Sequence, residues 1–147
     1  MRYTERLRVP VSWWLICAAA LAVLWVAVAA ATGTTATVAV TAVATAVVVV
    51  VLLRYGAARV TVDTGTLAAG RASIPLEHLG EAEPLTGESA RLARGRDCDP
   101  RAYLLLRPYL AGAVRVRVTD PDDPTPYWLI ATRHPQRLAD ALGGGKD

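Results

Sequence analysis

From Val9 to Leu53 the sequence carries no charged side chain. A soluble domain of 147 residues does not need 45 uncharged residues in a row. A membrane protein does, because the bilayer interior takes apolar side chains and rejects charge. This one stretch constrains the chain more than any motif in it.

The stretch divides in two. A helix needs about 20 apolar residues to cross about 30 Å of hydrocarbon. Val11 to Ala31 supplies 21 residues and Ala36 to Leu53 supplies 18. Thr32-Gly33-Thr34-Thr35 lies between them as a short polar turn. Two helices joined by a tight turn use this count; one span leaves apolar chain over. The second segment is rich in β-branched residues, which in water favour strands. In lipid an open strand leaves backbone groups unpaired, so a helix is predicted. Thr37, Thr41 and Thr45 fall on one face of that helix, suited to packing on the first helix or on another copy. Neither span holds an ionisable residue, which argues against a transporter or channel. An oligomeric pore would need the threonine faces to line a water-filled axis.

The flanks set an expected orientation. Arg2, Arg6 and Arg8 precede the first span, and Arg54 and Arg59 follow the second. Positive residues stay on the cytoplasmic side, so a multi-pass protein of the cytoplasmic membrane is expected, with both termini inside. Trp13, Trp14 and Tyr55 sit where rings prefer the membrane interface. The rival reading is a cleaved signal peptide, with small residues near Ala29 to Ala31. It must then leave the second apolar segment unexplained.

Charge elsewhere is balanced. Residues 1–8 hold three Arg and one Glu, whereas residues 54–147 hold 13 basic and 12 acidic residues. No basic stripe with stacking aromatics is present, so nucleic acid is not an expected partner. Cys17 lies inside the apolar block and Cys98 in the polar half, which indicates no disulfide framework.

From Ala57 the pattern changes period. Residues 59–63 alternate as a strand and Thr64-Gly65 turns the chain. Residues 71–76 are predicted as a second strand, and 77–95 as short strand and loop. Residues 103–107 are strand-like. In 113–119 three valines alternate with Arg115, Arg117 and Thr119, the mark of a half-buried strand. Residues 127–132 form a further strand. Residues 135–142 are predicted as a helix, with Pro135 in its first turn, Gly143 past its end, and Leu138 and Leu142 buried together. The expected soluble part, 54–142, is α+β: five or six short strands in a small antiparallel sheet or barrel, closed by one helix. Residues 143–147 are expected to be a loose tail.

The opening YTERLRVPVSWW, the run DTGTLAAGRASIPLEHLG and the segment RPYLAGAVRVRVTDPDDPTPYWLIATRHPQRLADAL resemble a family of small actinobacterial two-helix membrane proteins of unknown function. The likeness covers nearly the whole chain and implies no activity. The soluble half also resembles bacterial domains of pleckstrin-homology type, through Ile74-Pro75-Leu76 and the terminal helix. That resemblance implies a PH-like barrel and nothing about function.

Three groups of side chains are candidate sites. Asp120, Asp122 and Asp123 lie ahead of His134 and offer carboxylate oxygens and a proton carrier. As a small membrane-anchored enzyme the chain would bring these four residues together on one pocket. Yet the run Asp-Pro-Asp-Asp-Pro-Thr-Pro has the composition of a rigid turn, and no nucleophile motif surrounds Ser73, Ser89 or Cys98. No catalytic, metal or cofactor site is expected. Arg115 and Arg117 share a strand face; with Arg101 nearby they form either a patch for anionic headgroups or a solvated face paired with Glu81, Glu83 or aspartates across the sheet. Tyr127 and Trp128 point to opposite faces, so one enters the core and the other is a candidate protein contact. The expectation is a non-catalytic accessory or scaffold subunit of the cell envelope. Its partners would be the bilayer, anionic lipid, and a membrane or cytoplasmic protein, a second copy included.

Overall fold

A computed structural model describes residues 3–144. Arg2 and residues 145–147, most of the expected tail, lie outside the described residues. The chain forms two compact units, residues 8–57 and the remainder.

The first unit is a helical hairpin. Helix α1 spans Val11–Ala31 and α2 spans Thr34–Gly56. At 1.5 Å per residue they are about 31 and 34 Å long, enough for a bilayer core. The turn is shorter than the four residues expected, because α2 starts at Thr34. Thr32 Oγ1 donates to the Val28 carbonyl at 2.8 Å and Thr37 Oγ1 to the Gly33 carbonyl at 3.2 Å, as second donors to carbonyls that already accept the Thr32 and Thr37 N–H. Of the three threonines on one face, Thr37 is buried, Thr41 half-buried and Thr45 exposed. The spacing of four drifts off the contact line as the helix advances. No residue of α1 is buried, and α2 buries Thr37 and Leu52. Val11, Leu15, Ile16, Val23 and Val26 are each about two-thirds exposed or more. A core helix of a soluble protein would hide such side chains, and by length and apolar surface both helices could cross a membrane.

The second unit holds two four-stranded sheets. One has strands β1 (Tyr3–Arg6), β2 (Arg59–Asp63), β3 (Thr66–Ala69) and β4 (Ala72–Pro75), adjacent in that order and antiparallel. The other has β5 (Leu79–Leu85), β6 (Tyr103–Leu105), β7 (Gly112–Val118) and β8 (Tyr127–Thr132), in the order β5-β7-β8-β6. Its β6–β8 pairing is parallel, a departure from the antiparallel sheet expected. No closed barrel forms among the described residues.

Alternation explains most of this. Val60 and Val62 on β2, Leu67 and Ala69 on β3, and Val114 and Val116 on β7 are fully buried, and Trp128 and Ile130 on β8 nearly or fully so. Together with Leu7 and Ile74 they make the main core. Helix α4 (Pro135–Gly143) adds Leu138 and Leu142, four apart on its inner face as expected. The β2–β3 turn needs Gly65, whose φ is +100°. Gly112 opens β7 under α4, where a Cβ would stand 2.5 Å from Pro135 Cγ and 2.9 Å from the Thr132 carbonyl oxygen.

Three elements were not expected. Residues 3–6, within the segment 1–10 expected as a cytoplasmic N-terminal stretch before the first helix, form β1 and pair with β2. The strand expected over 71–76 is β4, which ends at Pro75 before the 3₁₀ turn Leu76–His78, but its hairpin partner β3 has no counterpart in the expected elements. The stretch expected as loop contains helix α3 (Gly87–Arg94). The Ser89 hydroxyl starts α3 by accepting from the Thr86 N–H and donating to the Thr86 carbonyl. Ala90 and Ala93 of α3 cover Leu85, Ala113 and Leu129 in a second, smaller core.

Candidate functional site

Alternation along β7 sends Val114 and Val116 inward and Arg115 and Arg117 outward. The same rule puts Glu81 and Glu83 of β5 and Tyr127 of β8 on that outer face. Helix α3 covers the apolar end of the face, and the charged end stays open. There Glu81, Glu83, Arg115, Arg117, Pro126 and Tyr127 line a groove of about 540 Å³. This is within the size range of ligand sites.

The groove's chemistry is balanced rather than basic. Glu83 stands directly opposite Arg115 in the β5–β7 register. Arg115 Nε and Nη2 both donate to Glu83 Oε2, at 3.1 and 2.5 Å. The Arg115 guanidinium carbon also lies 5.9 Å from the centre of the Tyr127 ring. Glu81 and Arg117 have no ion-pair partner among the described residues. Gly80 lets the strands approach here, since a Cβ would stand 3.1 Å from Arg117 Cβ. Two acids and two bases leave the groove with no net charge. Arg101 does not join the patch; it pairs with Asp99 at 3.1 Å and holds that carboxyl below the usual carboxylate range.

Tyr127 and Trp128 divide as alternation requires. Trp128 is 5% exposed, its ring 4.5 Å from that of Tyr103, so it is a core residue and no contact candidate. Tyr127 remains on the groove wall, its hydroxyl fixed by accepting the Asp99 N–H at 2.8 Å.

The aspartates close their own turn. Asp120 Oδ1 accepts from the Asp122 N–H and Asp123 Oδ1 from the Thr125 N–H, both at 2.9 Å. The second bond holds the Asp123 carboxyl below its ordinary range. His134 lines a different groove, which includes none of the three aspartates. No cluster of three His, Cys, Asp or Glu among the described residues is placed to hold a metal ion.

Trp13 lies in the first turn of α1 and Trp14 beside it, while Tyr55 lies in the last turn of α2. In an antiparallel hairpin these are the same end, away from the Thr32–Gly33 turn. Trp14 and Tyr55 are 38% and 43% exposed there.

The family model described as "Protein of unknown function (DUF3093)" matches residues 2–142. The chain belongs to this family. No curated protein and no solved structure matches it. The match takes in both long helices and the whole of β1 to β8. The DUF3093 pattern therefore joins hairpin and sheets in one chain, and both need a functional explanation.

Sequence reasoning missed a cluster around Glu5. This carboxylate is 9% exposed and accepts the Tyr3 hydroxyl at 2.6 Å, the Thr132 hydroxyl, and the Arg133 N–H at 3.0 Å. Thr132 and Arg133 lie 127 and 128 residues away, and no spacing rule reaches that far. The one signal was Tyr3 and Leu7 flanking Glu5 at strand period.

Proposed function

We propose that the chain is a multi-pass protein of the cytoplasmic membrane, with both ends of its hairpin inside, whose sheet unit binds a protein partner. In this reading it is an accessory or scaffold subunit that acts by contact rather than catalysis. The observation that carries the membrane reading is the β1–β2 ladder. Strand β1 precedes α1 and β2 follows α2, yet Arg6 stands directly opposite Arg59. A chain that leaves through one span and returns through the next can make that pairing; one that crosses once cannot. A cleaved leader ending near Ala31 would take β1, and with it the fully buried Leu7, out of the core. The arginines beside the spans favour the cytoplasmic side.

Cysteine accessibility tests the topology. Cys98 is half-exposed in the sheet unit. With Cys17 replaced by Ser, a membrane-impermeant maleimide should leave Cys98 unlabelled in intact cells and label it after lysis. A cysteine introduced at Gly33 should label in intact cells. Cys98 labelling before lysis would reverse the orientation.

The groove on the outer face of β5, β7 and β8 supports the contact reading. Its mixed charges and tyrosine suit a polar protein segment better than an anionic headgroup, which a neutral surface does not attract. A photo-crosslinking residue at position 117 should give a discrete adduct in native membranes, and the same residue at position 66 should not. Equal, diffuse labelling from both positions would remove the groove from consideration.

A further inference from the structure

A second groove, of about 380 Å³, runs beside β1 where β8 hands over to α4. Arg6, Arg133, His134 and Arg137 line it, together with Tyr3 and Glu5. Its single carboxylate is already committed. Glu5 receives the Tyr3 and Thr132 hydroxyls and the Arg133 N–H, and the Arg133 guanidinium lies 3.7 Å from it. Arg133 Nη1 also donates to the Arg6 carbonyl at 3.2 Å.

The remaining arginines are not matched. Neither Arg6 nor Arg137 has an ion-pair partner among the described residues. Arg6 also stands directly opposite Arg59, both exposed on the outer face of the sheet. Like charges at directly opposed positions destabilise a ladder. A surface arranged only for stability would not place them so. Arg59 does not line the groove, but an anion held in it beside Arg6 would offset part of that repulsion.

We propose that this groove binds a phosphate group, as a free phosphate ester or as the headgroup of an anionic phospholipid. Arg6 and Arg137 would supply forked N–H donors, whose geometry matches phosphate oxygens. Arg133, tied to Glu5 and to the Arg6 carbonyl, fixes the groove floor. The volume admits a phosphate ester with its alcohol. The inference stands apart from the partner groove on β5, β7 and β8, and it does not need the hairpin to span a membrane.

Isothermal titration of the full chain in uncharged detergent micelles tests it. The titrants are inorganic phosphate, glycerol 3-phosphate and dihexanoyl phosphatidylglycerol, with dihexanoyl phosphatidylcholine as the zwitterionic control. At least one of the first three should bind. Binding of the water-soluble phosphates identifies a free ester; binding of phosphatidylglycerol alone identifies a headgroup. The double variant R6Q/R137Q should weaken that binding by roughly 25-fold, about fivefold per arginine. R137Q alone, on the exposed side of α4, should show the fivefold step even if the double variant folds poorly. R115Q/R117Q should bind within about twofold of the parent chain. No binding of any phosphate, an unchanged R137Q, or an equal loss in R115Q/R117Q would overturn the proposal.

Discussion

Glu83 meets Arg115 across the β5–β7 ladder with half of its side chain in water. Glu5 meets Arg133 from the edge of the other sheet, with 9% exposed. The first pair neutralises a surface; the second closes a corner of the fold. Glu83 and Arg115 lie on adjacent strands and water competes for both, so their contribution is small. Glu5 has lost its water and depends on the Tyr3 and Thr132 hydroxyls and the Arg133 N–H. Charge count alone cannot separate the two. Burial and the number of donors can.

Removing each glutamate should expose that difference. Glu5→Ala leaves three donors without their acceptor, two of them on buried side chains, and takes an anchor from β1. Losses of this kind cost about 3 kcal/mol. Thermal unfolding in micelles should show a large drop, and hydrogen exchange should show β1 amides opening before those of β7. If β1 stays as protected as β7, the corner is held by Leu7 and the ladder alone.

The next effect comes from the same corner without touching charge. Gly112→Ala puts a methyl against the Pro135 ring and the Thr132 carbonyl, neither of which can rotate away. Overpacking of this kind costs about 2 kcal/mol. Gly143→Ala meets nothing within 4 Å and serves as the neutral control. Equal stability of the two variants would mean that α4 shifts freely on β7, and the Arg133–Arg137 corner would lose its fixed geometry.

How far these regions were legible follows from the range of their contacts. Residues 113–119 announce a strand because valine and arginine alternate within seven residues. Residues 135–142 announce a helix through Pro135, Leu138 and Leu142. The groove on β5, β7 and β8 was largely visible: Arg115, Arg117 and Tyr127 lie on the expected strands with Glu81 or Glu83 expected across from them, but the choice of Glu83 depends on register across the irregularity between Leu79 and Ala82. Helix α3 was hidden because eight residues give barely two turns, and Gly87 and Ser89 have the composition of a loop. Strand β1 was hidden because Glu5 occupies an inward position that alternation assigns to an apolar residue. The polar corner joins residues 3–6 to 132–137 through folding alone.

Tyr3 carries the third effect, and it appears with pH. Burial, reinforced by the hydrogen bond to Glu5, pushes its hydroxyl up from 10.0 to about 12. Between those values the folded chain holds a proton that the unfolded chain has released. Stability from this source is therefore complete below pH 10 and is lost as pH rises through about 12. Tyr3→Phe should cost about 1 kcal/mol at neutral pH and flatten the alkaline slope. A slope that persists in Tyr3→Phe would assign the alkaline transition to another group.

The smallest effect completes the pair. Glu83→Ala should change stability by no more than about 0.5 kcal/mol, since an exposed ion pair with competing water contributes little. What should change is the groove's charge. Arg115 loses its partner, and the surface goes from neutral to net positive. Binding of phosphatidylglycerol at the β5–β7–β8 face, absent in the parent chain, should then appear, and R115Q should remove it again. That outcome would show that the two grooves differ in ligand class because of one exposed carboxylate. If Glu83→Ala gains no anion binding, shape rather than charge separates the two grooves.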